Sequence, residues 1–153
     1  MIRFRSEQTI ARPAQDVWSY AADVIRHPEW MGVIDARLIS GQPTEIGARA
    51  VERVTLGRRK VDVEIEVSDS IPGQRIAWRM AGGSPLRGDV ALDIESLGPD
   101  RARAVWSGSI GLTGLWRLVE PLVAAEVKAG EAAELRRLKE ALEVAPAIAP
   151  ATA

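Results

Sequence analysis

Between Val33 and Gly111 the chain repeats with a period of two, and after that the period changes for good. Val61, Val63, Ile65 and Val67 alternate with Asp62, Glu64, Glu66 and Ser68. Ile76, Trp78 and Met80 alternate with Ala77 and Arg79, and Val90, Leu92 and Ile94 with Ala91, Asp93 and Glu95. Turn residues punctuate these runs at Gly41-Gln42-Pro43, Gly57-Arg58, Pro72-Gly73, Gly82-Gly83-Ser84-Pro85 and Gly98-Pro99-Asp100. Such alternation predicts antiparallel strands with one dry and one wet face. Six are expected, near 33–40, 47–57, 59–70, 74–81, 86–97 and 101–111, and the alternating residues 2–11 make a seventh. From Thr113 to about Glu143 strand signals stop. Leu115, Leu118, Val119, Leu122, Val123, Val127, Leu135, Leu138 and Leu142 recur instead at helical spacing. A helix of that length spans roughly 45 Å at about 1.5 Å per residue. Pro121 cannot donate to the carbonyl of Arg117, so a kink or break is expected there.

Burial then limits the architecture. Seven strands with one apolar face must be covered, and only the terminal helix is long enough to do it. Pro13 followed by Val17, Trp18, Tyr20, Ala21 and Ala22 predicts a short first helix, and Arg26 to Met31 a second short helix or turn. The expected fold is α+β: a curved seven-stranded antiparallel sheet around a long C-terminal helix, with two short helices after strand one. One domain is expected over 1–143, with a flexible tail over 144–153. The long helix is thinly furnished, with Ala124, Ala125, Ala129, Gly130, Ala132 and Ala133. Small residues against a curved sheet leave unfilled volume, unless the sheet packs closely onto them.

Composition excludes several kinds of chemistry. The chain has no cysteine and one histidine, which argues against disulfides, thiolate catalysis and multi-histidine metal centres; no metal and no cofactor is expected. Charges nearly cancel at 20 basic and 21 acidic residues, so no overall field favours nucleic acid. Arg58-Arg59-Lys60 reads as a solvated turn. No apolar run is long enough for an integral membrane segment, and the alternating start Met1-Ile2-Arg3-Phe4-Arg5 lacks a secretory core, so the expected compartment is cytoplasmic.

Four stretches carry a family resemblance. They are Ile10-Ala11-Arg12-Pro13-Ala14-Gln15-Asp16-Val17-Trp18; Asp23 through His27-Pro28-Glu29-Trp30; Gly47 before the third strand; and Leu135 through Glu143. In this order and spacing the chain resembles the START-like (SRPBCC, helix-grip) superfamily, in its bacterial polyketide cyclase/dehydrase-type branch. The resemblance implies an internal cavity for lipids, polyketides, hormones or other aromatic and apolar compounds. Members include aromatase/cyclases, lipid carriers, hormone receptors and co-chaperones, and no universal catalytic residue carries over.

Candidate site residues therefore follow from facing. Strand one turns Phe4, Ser6, Gln8 and Ile10 inward; later strands bring Val63, Ile65, Ile76, Trp78, Met80, Val90, Leu92, Ala104 and Trp106. Ser6, Gln8, Trp30, Val63, Ile65, Trp78, Met80, Val90, Trp106, Leu122 and Val127 are the expected ligand contacts. Strand three stays open. One register turns Arg49 and Arg53 inward, the other Glu52 with Val54 and Leu56. On the last helix Glu131 sits in the stripe of Val127, Leu135, Leu138 and Leu142. Glu131, His27, Tyr20 and Arg53 are the candidate proton-transfer groups, each with a bland alternative as a solvated, capping or core residue. Three functions remain open. They are a binder of a small hydrophobic molecule, a cyclase, aromatase or dehydratase acting without cofactor, and a protein-interaction module; a homodimer is also open.

Overall fold

The computed structural model describes residues 1–144. Seven antiparallel strands form one sheet: β1 (Ile2–Ile10), β2 (Val33–Ser40), β3 (Arg49–Leu56), β4 (Arg59–Ile71), β5 (Arg75–Met80), β6 (Leu86–Gly98) and β7 (Arg101–Leu112). Their spatial order is β1-β7-β6-β5-β4-β3-β2. Hairpins connect β2 through β7 in sequence, so each strand pairs with its predecessor. The first strand then closes onto the last, with Ile2 opposite Ile110 and Ile10 opposite Ala102.

Alternation sorts the two faces as expected. Val63, Ile65 and Val67 of β4 are buried, while intervening acids face outward to cations. Arg53 holds Asp62 at 2.9 Å, Arg79 holds Glu66 at 2.6 Å, and Arg75 bridges Asp69 and Asp93. These ladders pair opposite charges along the outer face of the sheet. Curvature needs close strand approach at Gly88, opposite Ile110, where φ is 141° and a Cβ would overlap the Ser109 carbonyl. Only glycine fits there.

Two short helices follow β1: α1 (Ala14–Ala22) and, after a 3₁₀ turn at Val24–Arg26, α2 (His27–Trp30). Pro13 caps α1 rather than occupying its first turn. The α1 face is buried through Val17, Trp18, Tyr20, Ala21 and Ala22, and the Trp18 indole donates to the Arg75 carbonyl at 2.9 Å.

The terminal helix departs from the sequence reading. Residues Gly114–Val119 form a 3₁₀ turn, and α3 runs Glu120–Val144. Pro121 is thus the second residue of the helix, where its missing N–H is harmless, and no kink is needed. The apolar stripe before it does not reach the sheet: Leu115, Leu118 and Leu122 are 85%, 78% and 82% exposed. Helical spacing identifies a stripe but not how far its partner surface extends. The grip is made by Leu135, Leu138 and Leu142, all buried, each contributing about 1.5–3 kcal/mol by burial. The tail expected over 144–153 lies outside the described residues apart from Val144, the last residue of α3.

A candidate ligand cavity with four buried titratable groups

An aromatic cluster fills one end of the interior. The Trp30 and Trp106 rings meet edge-on at 5.4 Å, Trp78 and Trp106 at 6.3 Å, and Phe4 lies 6.0 Å from Trp106. The rest is hollow. A cavity of about 240 Å³ lies between the sheet and α3, its walls including Val54, Val63, Ile65, Trp78, Met80, Leu86, Val90, Trp106, Ile110 and Val127. Exposed Gly32, Thr55, Arg79 and Gly130 stand at its rim. An apolar cavity of about 150 Å³ accepts a benzene, so this one has room for a two-ring guest.

Polar groups enter this cavity from two sides. Glu131 and Glu134 stand one helical turn apart on α3 and both line it. The Trp106 indole donates to Glu131 Oε2 at 2.8 Å, and the Gly32 backbone N–H donates to Glu134 Oε1 at 2.6 Å. Two neighbouring carboxylates repel when both are ionised, which favours a proton on the pair. Burial pushes Glu131 above the ordinary carboxylate range. Burial, reinforced by the charge of Glu131, pushes Glu134 well above it.

On the sheet side, β3 buries Ala50 and Glu52 while Arg49 and Arg53 are exposed. The open register is thereby settled in favour of Glu52, which lines the cavity and is 8% exposed. Its Oε1 is bonded to His27 Nδ1 at the start of α2, and His27 Nε2 bonds the Ala21 carbonyl at 3.1 Å. A carbonyl only accepts, so Nε2 carries a proton. His27 is fully buried, edge-on to Trp78 and Trp30 at 5.1 and 5.9 Å.

Of the expected ligand contacts, Val63, Ile65, Trp78, Met80, Val90, Trp106 and Val127 line the cavity, and so does the proton-transfer candidate Glu131. Trp30 lies behind Trp106 in the aromatic cluster and is not among the lining residues. Ser6 and Gln8 are half-buried on the inner face of β1, outside the cavity. Leu122 is solvent-exposed, because α3 meets the sheet only further along. Arg53 points outward to Asp62. Tyr20 faces away from the cavity: its hydroxyl donates to Glu29, its ring lies under Arg26, and burial followed by Glu29 pushes its pKa up to about 12. His27 reaches the cavity only through Glu52. Glu134 was missed, although its spacing of three from Glu131 puts it on the same helix face.

A sheet wrapped about a terminal helix, with a half-open apolar cavity between them, defines the helix-grip, START-like class of protein. Residues 1–143 match the family described as polyketide cyclase/dehydrase and lipid transport, and the chain belongs to that family. Its fold is similar to that of a START superfamily protein from Mycobacterium smegmatis, with a TM-score of 0.77 at 14% identity, covering 92% of this chain and 97% of that one. The Zhui aromatase/cyclase from Streptomyces sp. R1128 gives 0.72 at 15% identity, covering 92% and 93%. The Aha1 dimer from Colwellia psychrerythraea gives 0.65 at 16%, covering 94% and 98%. No curated protein sequence matches the chain. Among the described residues, no helix is long and apolar enough to cross a membrane, and no cluster of three or more His, Asp or Glu could hold a metal ion.

Proposed function

We propose that this protein binds one small, largely apolar molecule of about two rings in the cavity between β3–β7 and α3. The observation that carries this reading is the 240 Å³ of space walled by Val63, Ile65, Trp78, Val90, Trp106 and Val127. Interiors normally close such space, and a maintained apolar hollow is the ordinary form of a ligand site. Family membership supports the same class of ligand. Native mass spectrometry of protein isolated from its host tests it. A one-to-one non-covalent adduct is expected, and a bare chain under conditions that preserve the fold would count against the reading.

A second reading has its own observation. Glu131 and Glu134, both raised above the ordinary carboxylate range, stand at the cavity wall, and the bonded pair Glu52–His27 lies at its floor. Two such pairs facing one apolar space could donate and remove protons, as a cyclisation or dehydration requires. With the guest identified, Glu131→Gln separates the two readings. Retained affinity with lost product supports catalysis, whereas a guest that wild-type protein returns unaltered supports carriage.

A further inference from the structure

The cavity is apolar in its walls but one-sided in its polarity. Three carboxyl groups reach it, from Glu52, Glu131 and Glu134. Among the described residues, the only cationic side chain lining it is Arg79, whose guanidinium is held by Glu66 on the outer face at 2.6 Å. Arg137, the other cation acting on the α3 pair, lies outside the lining and donates to the Trp30 carbonyl at 2.9 Å. The Trp106 N–H is already taken by Glu131. Glu52 adds the decisive detail. It is 8% exposed, its Oε1 is bonded to His27, and its Oε2 has no hydrogen-bond partner among the described residues. That oxygen is not fully enclosed, so in a residue lining the cavity it is open to water or to a donor on a guest.

A neutral hydrocarbon guest would strip water from these carboxyls and return nothing, which is unfavourable. An anionic guest would meet like charge at short range. A cation answers both problems. We propose that the ligand is a monocationic amine: an apolar one- or two-ring body against Trp78, Val63 and Val127, with a single protonated nitrogen among Glu52, Glu131 and Glu134. This assignment rests on the ligand-binding reading above. No covalent step is involved. The ammonium enters, and its charge favours loss to solvent of a proton from the Glu131–Glu134 pair, whose pKa values burial raises.

Three probes with one ring system test it: 1-naphthylmethylamine, 1-naphthylmethanol and 1-naphthoate. Each is titrated by calorimetry into the full chain at pH 7, in two buffers of different ionisation enthalpy. The amine is expected to bind about tenfold or more tighter than the alcohol, with naphthoate weakest. Its apparent heat should change with buffer, reporting proton release. In Glu131→Gln and in Glu134→Gln the preference for amine over alcohol should fall severalfold while alcohol binding persists, with thermal unfolding confirming that each variant is folded. An alcohol or naphthoate that binds as tightly as the amine overturns the amine assignment but leaves ligand binding standing. An amine preference unchanged in both folded variants overturns it as well. Failure of all three probes to bind overturns the assignment together with the ligand-binding reading beneath it.

Discussion

The indole N–H of Trp106 on β7 donates to Glu131 on α3 at 2.8 Å, joining the sheet to the helix across the wall of the cavity. The bond holds a carboxyl at a place where burial alone would drive it neutral, and it lowers the Glu131 pKa against that burial. It also ties the position of α3 to the protonation of Glu131.

Replacing Trp106 by Phe removes the donor and part of the cavity wall. The expected loss is about 2–4 kcal/mol in urea denaturation, from an unsatisfied buried acceptor plus enlarged empty space. The Glu131 carboxyl should titrate higher still in the variant, which carbonyl-detected NMR would follow. An unchanged denaturation midpoint would mean that the bond does not support the helix.

The Glu131–Glu134 pair sets a pH dependence of stability. Both carboxyls titrate higher in the folded chain than their ordinary value near 4.5, so the native state binds more protons than the unfolded one. Stability from this source is complete below pH 4.5 and is lost as pH rises through the folded-state values. Glu134→Gln keeps the hydrogen-bond donor toward Glu131 without the ionisation. The melting temperature of this variant relative to wild type should therefore climb between pH 4.5 and 8, whereas a difference constant with pH would contradict the raised titration of the pair.

His27 and Glu52 form the more demanding pair, because both are buried. Truncating His27 to Ala leaves Glu52 without its partner and should cost about 3–5 kcal/mol. Replacing both together by Leu should recover most of that loss. Arg53→Ala, which removes only an exposed ion pair on the convex face, should leave the denaturation curve within experimental scatter.

Gly130 lies inside α3 at the cavity rim, and a Cβ built there meets no atom within 4 Å. Gly130→Ala should stabilise the fold by about 0.5–1 kcal/mol through helix propensity alone. A destabilised variant would show that the rim is already occupied at that point.

How much of this could be read from the chain depends on which physical signal each element carries. Strand positions were legible because alternation such as Asp62-Val63-Glu64-Ile65 is local, and β2 falls at the expected 33–40. The wall residues Trp78, Val90 and Trp106 followed from the same period. The reach of α3 was not legible, since Leu115, Leu118 and Leu122 have the spacing of a buried face with no sheet beneath them. The partner of His27 lay hidden for a different reason. It comes from β3, 25 residues away, and one step of register decides whether Glu52 or Arg53 faces inward. Arg53 looked eligible only because its strand carries charges on both faces.

The account stands on the hollow between the sheet and α3, and an NMR titration with indole reports on it directly. Backbone and side-chain resonances are assigned, indole is added to millimolar excess, and shifts are mapped in wild type and in Val127→Trp, whose larger side chain fills the space. Saturable shifts at Val63, Ile65, Trp78, Trp106 and Glu131, absent from the filled variant, are the predicted result. Shifts confined to exposed Leu115, Leu118 and Leu122, or equal responses in the two proteins, would contradict the cavity as the binding site.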